Sequence, residues 1–241
     1  MNKLQLDEIR ENEKNSHTKM YTSCNLYEDG SWLSKPIKTV VDIMPLFCNY
    51  MQLSVLDLGC GVGRNIIYIA EKCKGKICII DGVDILPLAI EKLRENAEKY
   101  DVSSAINGIV GTIENYMIEK EKYDLILVVS ALEHMDTMES LKNKLLEIAE
   151  GVKVNGLVCF VVNTEVEEQN MQTGEKLVPQ FEVNISTSDM LLILESIFSG
   201  WKRLKQTIVK QNYEIPRKEV ISSMNTNVVT FVARKEINGM Q

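Results

Sequence analysis

The sequence is poor in histidine (2), tryptophan (2) and proline (5), and its six cysteines lie scattered over 241 residues. Cys24, Cys48, Cys60, Cys73, Cys78 and Cys159 form no CxxC pair and no Cys/His cluster, so a zinc site, an iron–sulfur cluster and a disulfide framework are all disfavoured, and no metal is expected. No apolar run approaches the ~18 residues of a membrane span, and the polar start Met1 to Glu13 is unlike a signal peptide. A cytoplasmic protein without membrane contacts is therefore expected. The net charge of −7 argues against broad capture of nucleic acid. Eight Lys/Arg against three Glu from Trp201 to Gln241 give that section +5 and leave −12 on the rest, which fits solvated faces of terminal strands.

What is present is an ordinary globular composition, 45% hydrophobic and 25% charged, at a length that suits one α/β core with additions. The periodicity alternates between strand and helix. Val55 to Leu58 is a buried strand, followed by a helix from Asn65 to Lys72 bearing Ile66, Ile67, Ile69 and Ala70. Lys76 to Asp84 is a second strand, Leu86 to Tyr100 a helix, Ala105 to Val110 a third strand. Tyr123 to Ser130 is a continuous apolar run of the kind buried on both faces of a parallel sheet. A helix over Met138 to Glu150, a strand over Leu157 to Val162, a helix over Ser186 to Phe198 and two strands, Trp201 to Lys210 and Asn227 to Arg234, joined by a long connection, complete a doubly wound pattern. Pro36 opens a helix with Ile37, Val40, Val41, Met44 and Phe47 on one face. Residues 1–35 carry charge and aromatics without core periodicity and read as a lid or cap before a single domain over 36–241. Residues 163–187 are polar and longer than a normal connection, a candidate substrate loop.

The chemistry concentrates at the end of the first strand, Asp57-Leu58-Gly59-Cys60-Gly61-Val62-Gly63-Arg64-Asn65. Glycines there allow positive φ and close approach of a ligand to backbone, and the following helix presents unpaired N–H groups. A dinucleotide site would have glycine where Arg64 stands. Asp57, two residues before the first glycine, would repel a pyrophosphate and attract an ammonium group, which favours a nucleoside bearing an amino acid.

The spacing Asp-x-Gly-x-Gly-x-Gly, an acid 27 residues after Asp57 and the Tyr123 to Ser130 strand, in that order, resemble the class I S-adenosylmethionine-dependent methyltransferases. The likeness runs from about Val55 to Ser130, more loosely to Arg234. Gly63-Arg64-Asn65 with Ile66 to Ala70, and the Gly200 to Arg203 and Phe231 to Lys235 segments, look like the tellurite-resistance type and related small-molecule methyltransferases. The resemblance implies a Rossmann-like, seven-stranded, mostly parallel sheet whose last strand is antiparallel, helices on both faces and an N-terminal helical lid. It also implies S-adenosylmethionine as cofactor, held by Asp57, Gly59, Cys60, Gly61, Gly63 and Asn65 at its methionine end, by Asp84 and Ile85 at the ribose, and by Thr112 and Ile113 at the adenine. Many relatives have Asp at the Thr112 position, so that contact departs from the pattern. Ser130 and Ala131 would border cofactor and acceptor, and S-adenosylhomocysteine would be the product.

Methyl transfer is an in-line displacement, in which the protein mainly positions the reactants and excludes water, and a base is needed only if the acceptor must lose a proton. His134, just past the fourth strand, is either that base or a residue shaping its loop, and Glu133 is similarly open. His17, Tyr21, Tyr27 and Trp32, with His134, are candidates to line the acceptor site. Cys60 reads as a packing residue. A methyltransferase with a small-molecule acceptor is the expectation. An RNA or protein methyltransferase, supported only by the +5 section, and a non-catalytic cofactor-binding module are the alternatives.

Overall fold

The computed structural model describes residues 3–217 and 220–236. The chain begins with α1 (Lys3–Ser23), then α2 (Lys38–Ile43), whose run continues as a single 3-10 turn through Pro45 to Phe47. The central elements follow in alternation: β1 (Gln52–Leu58), α3 (Ile66–Lys72), β2 (Ile77–Asp84), α4 (Pro87–Lys99), β3 (Ile106–Val110), β4 (Tyr123–Val129), α5 (Met138–Gly151) and β5 (Val152–Asn170). The chain closes with β6 (Lys176–Leu177), α6 (Thr187–Ile197), β7 (Lys202–Pro216) and β8 (Ile221–Arg234).

Strand order is β3-β2-β1-β4-β5-β8-β7. β1 pairs in parallel with β2 and β4, β2 with β3, and β4 with β5, whereas β8 runs antiparallel to both β5 and β7. The expected antiparallel last strand is therefore present. The expected count of seven strands becomes eight, because the two-residue β6 adds to the flank of β5 at Glu168 and Gln169.

Period-two alternation divides the core between the two faces of the sheet. Leu53, Val55, Leu125, Leu127, Cys159 and Val232 face α2, α3 and α4. Leu56, Leu58, Ile126, Val128, Val158, Phe160 and Phe231 face α5 and α6. β4 is buried at every residue, which is why its sequence is a continuous apolar run rather than an alternating one.

Two expectations are corrected. Residues 163–170 are not loop but the far half of β5, paired with β8 from Asn163↔Val228 to Asn170↔Ser222. Only the stretch between Asn170 and α6, apart from β6, is irregular. The segment is polar because this half projects past the parallel core: its exposed positions, Glu165, Glu167 and Gln169, alternate with buried Thr164, Val166 and Glu168. The second correction concerns β7 and β8, whose pairing continues to Pro216↔Ile221, so the long connection expected between them is mostly strand.

At the far end of this projecting platform, Arg217 grips the buried carboxylate of Glu168 through two N–H groups at 2.6 and 2.8 Å, and Ser222 donates a third bond at 2.5 Å. Arg217 also lies 3.7 Å from Glu13 of α1. Removing one partner of a buried pair leaves the other charge uncompensated. Arg217→Ala should lower the urea-unfolding free energy by about 3 kcal/mol. The Arg217→Ala/Glu168→Ala double variant should lose less than the sum of the single losses.

Candidate functional site

The parallel register brings the end of β1 beside the end of β2, Leu58 opposite Val83. The chain then turns through Gly59, Gly61 and Gly63 at φ of +79°, +54° and +92°, angles that side chains with a Cβ rarely adopt. Backbone N–H groups fasten this turn to β2: Gly59 and Cys60 donate to the Val83 carbonyl at 2.8 and 3.0 Å, and Gly61 donates to Asp84 Oδ2 at 2.9 Å. A Cβ on Gly59 would lie 2.6 Å from the Ala131 Cβ, so loop and β4 end are in close contact. The expected residues Asp57, Gly59, Cys60, Gly61, Gly63, Asp84, Ser130 and Ala131 thus meet at the carboxyl-terminal edge of the parallel strands β1, β2 and β4.

Asp57 is the unusual member. It is 1% exposed, and neither carboxylate oxygen has a hydrogen-bond partner. Burial pushes its pKa up to about 7; Arg64 acts in the opposite direction and Asp84 reinforces the rise. A carboxylate left without donors beside a glycine turn is a position that an ammonium-bearing ligand would complete. Asp84 accepts from the Leu86 N–H as well, 2.9 Å from Oδ1, and each of its oxygens keeps a lone pair for a further donor. Burial raises its pKa, opposed by those two backbone bonds and by His17.

The other expected cofactor residues are placed less tellingly. Asn65 turns its amide oxygen to the Ile37 N–H at 3.1 Å and so anchors the start of α2. Cys60 is buried against the loop, and burial drives its thiol pKa well up, as suits a packing residue. Thr112 accepts from the Asn115 N–H at 3.2 Å, Ile113 packs on the α5 side of the core, and Ile85 is 59% exposed beside Asp84. Ser130 holds φ +51°, the left-handed conformation in a residue that is not glycine, with its N–H on the Val161 carbonyl at 2.7 Å. Such local strain is characteristic of functional positions. Among the described residues no cluster of His, Cys, Asp and Glu could hold a metal ion.

α1 lies across this edge. Tyr21 is buried at 6% exposure with its hydroxyl 2.9 Å from where a Gly61 Cβ would sit, and burial pushes its pKa far up. His17 and Trp32 stand 5.5 and 6.2 Å from the Tyr21 ring. The Arg64 guanidinium lies 4.9 Å over Trp32 and donates to its carbonyl at 2.8 Å. Tyr27 is drawn away from this group: its hydroxyl donates to the Arg64 carbonyl at 2.7 Å and its ring meets Tyr100.

At the end of β4, His134 stacks on Phe181 at 5.1 Å, and its Nδ1 lies 2.9 Å from Glu182. Glu182 sits in the stretch read as loop, and no spacing in the sequence linked it to His134. Burial opposes the charged imidazole, but the Glu182 bond and the charges of Glu133, Glu13 and Glu182 outweigh it and raise the His134 pKa. Glu133 is 1% exposed; Oε1 accepts from the Asn163 backbone and side chain, and Oε2 has no partner. Arg10 of α1 reaches both Asp136 and Glu182, and Asn12 donates to Gln180 at 2.9 Å. Burial pushes the Glu13 carboxyl up, yet His17, His134 and Arg217 outweigh it and hold it below the ordinary range. A separate hollow of 780 Å³ lies beneath the projecting strands; Glu165 on its wall is already satisfied by the Thr187 N–H at 3.0 Å and Asn227 at 2.6 Å.

Strand order, the antiparallel β8 and the glycine turn beside an acid-ended β2 together define the fold of the class I S-adenosylmethionine-dependent methyltransferases. Residues 55–156 match the family model described as a methyltransferase domain. The chain is similar to a (S)-tetrahydroprotoberberine N-methyltransferase of Eschscholzia californica, 33% identical over 104 residues, 42% of this chain and 29% of that protein. It is also similar to a (S)-coclaurine N-methyltransferase of Papaver somniferum, 26% identical over 190 residues, 74% of this chain and 50% of the relative. The chain therefore spans half or less of the length of these two curated relatives. Among solved structures, TehB from Haemophilus influenzae superposes with a TM-score of 0.64 at 20% identity, covering 83% of this chain and 62% of that one, a likeness of fold.

The strained protonation of Asp57 has a measurable sign. Its folded pKa lies above the unfolded value, so ionising it costs stability progressively between pH 4 and pH 7 and the full cost remains above. Asp57→Asn should therefore stabilise the ligand-free protein at pH 8 by on the order of 2 kcal/mol, with the gain vanishing below about pH 4 in denaturant titrations.

Proposed function

We propose that the protein binds S-adenosylmethionine in the β1–β2 edge and transfers its methyl group to the nitrogen of a small-molecule amine. The observation that carries the cofactor assignment is Asp57, a buried carboxylate with no donor of its own beside three positive-φ glycines. It would hold the ammonium of the methionine portion, Asp84 the ribose hydroxyls, and Thr112 and Ile113 the neighbourhood of the base. When bound, the cofactor supplies an electrophilic methyl on a sulfonium.

The acceptor side rests on the chain's own charges. Glu13, Glu133 and Glu182 surround His134 beneath α1, an environment that favours a cation over an anion. An ammonium drawn there must lose a proton before its nitrogen can attack. With Glu182 accepting from Nδ1–H, the His134 Nε2 is left as the basic atom, the tautomer following from an ionised carboxylate partner. The names of the curated relatives, N-methyltransferases, support a nitrogen acceptor. Residues 1–35 would act as the lid, with His17, Tyr21 and Trp32 closing the aromatic wall; Tyr27 supports the loop instead. We place the protein in the cytoplasm; among the described residues no helix is long and apolar enough to cross a membrane.

In a thermal-shift comparison, S-adenosylmethionine and S-adenosylhomocysteine should each raise the melting temperature and NAD should not. Stabilisation by NAD alone would remove the proposal.

His134→Ala should lower turnover of an amine by about 10²-fold or more while leaving S-adenosylhomocysteine affinity within about twofold. Because the base must be neutral and its pKa is raised, the acidic limb of the kcat/KM profile should fall above pH 6.5, the ordinary histidine value. The same limb in the His134→Ala enzyme would exclude His134 as its source.

A further inference from the structure

Arg64 stands where a dinucleotide turn would carry its third glycine, and the proposed function leaves its side chain without a role. It directly follows Gly63, the last glycine of the turn, and its guanidinium is held in one place. Nη1 donates to the Trp32 carbonyl at 2.8 Å, the group lies 4.9 Å over the Trp32 ring, and the Tyr27 hydroxyl donates to the Arg64 carbonyl at 2.7 Å. None of these partners carries a charge. Arg64 forms no ion pair among the described residues; burial lowers its pKa, and the nearby Asp57 is the first of the groups that oppose the fall. A planar fork with a single neutral acceptor is a guanidinium short of the carboxylate that its geometry fits.

Asp57 is the mirror of this. It is a buried carboxyl group without donors, and Arg64 is the cation whose charge acts on it. Amides of the turn between them are committed elsewhere: those of Gly59 and Cys60 to the Val83 carbonyl, that of Gly61 to Asp84 and that of Gly63 to the Cys60 carbonyl at 3.0 Å, so they are withdrawn from any arriving anion. An unsatisfied acid and an unpaired cation on one glycine turn match an α-amino acid zwitterion, whose ammonium and carboxylate sit on a single carbon. We propose that Arg64 receives the α-carboxylate of the cofactor's methionine portion, so that a dipolar pair recognises the cofactor, Asp57 at the ammonium and Arg64 at the carboxylate. The assignment rests on S-adenosylmethionine as the ligand of this edge and adds to it the second charge of the seat. Because the same guanidinium carries Trp32, the carboxylate and the aromatic wall share one anchor.

Calorimetric titration of the full chain with S-adenosylhomocysteine and with its decarboxylated analogue, which keeps the ammonium and the nucleoside, isolates the carboxylate. The wild-type chain should bind the carboxylated ligand more tightly by about tenfold to a hundredfold, as a charge-assisted pair provides. Arg64→Gln should lose that factor for S-adenosylhomocysteine while leaving the affinity of the analogue within about twofold, which also shows that the pocket has kept its shape. Arg64→Lys should recover part of the loss, since it restores the charge without the fork. Wild-type discrimination below about twofold, an equal loss for both ligands in Arg64→Gln, or a loss of discrimination in Tyr21→Phe but not in Arg64→Gln would each overturn the proposal. Binding of neither ligand by the wild-type chain would remove the cofactor reading itself, and this assignment with it.

Discussion

The bond from the Gly61 N–H to Asp84 Oδ2, 2.9 Å long, is the constraint on which the cofactor edge depends. It joins the two strand ends that the sheet delivers side by side, and it orients a carboxylate while closing the glycine turn. Three successive amides of the turn are consumed by β2, two on the Val83 carbonyl and one on Asp84. The loop is therefore a fixed element rather than a flexible connection. Its glycines are required by conformation and by contact, since Ala131 and Tyr21 already occupy the volume that Cβ atoms at Gly59 and Gly61 would fill. Asp57 supplies a different feature, a buried carboxyl group with no donor of its own, so the rigidity of the loop does not come from its side chain.

α1 solves a different problem. Among its described side chains the buried apolar anchors are Ile9 and Tyr21, and polar contacts add to them: Arg10 to Asp136 and Glu182, Asn12 to Gln180, Glu13 to Arg217. Ion pairs that are partly exposed contribute little each, so a helix held in this way can detach at modest cost. Glu13 of this helix is one of the carboxylates that raise the His134 pKa, so the ionisation of His134 depends on whether the helix is seated.

The sequence revealed the parallel half of the fold well because its signals are local. Gly59, Gly61 and Gly63 sit in a short turn, Asp84 ends a strand, and β4 is apolar throughout since both of its faces are covered. The antiparallel half was harder. From Asn163 to Asn170 the strand is wet on one face and holds polar groups on the other, so hydrophobicity carried no period that would separate strand from loop; the pairing partner, more than fifty residues away, decides the matter. Glu182 and Glu13 were invisible for the same reason: each acquires meaning only when distant segments meet around His134. Asn65 and Tyr27 followed the family pattern or the aromatic count, yet their polar atoms are used in bracing α2 and the Arg64 turn.

The placement of β8 between β5 and β7 bears on the order in which the chain can be completed during synthesis. β8, which follows β7 in the chain, is the strand that joins β7 to the rest of the sheet, and α1 finds Arg217 only when that hairpin is in place. Its other partners, Asp136, Gln180 and Glu182, also emerge from the ribosome long after it. The parallel core can thus assemble before α1 has all of its partners, and the helix is fully seated only when segments far apart in the chain have met.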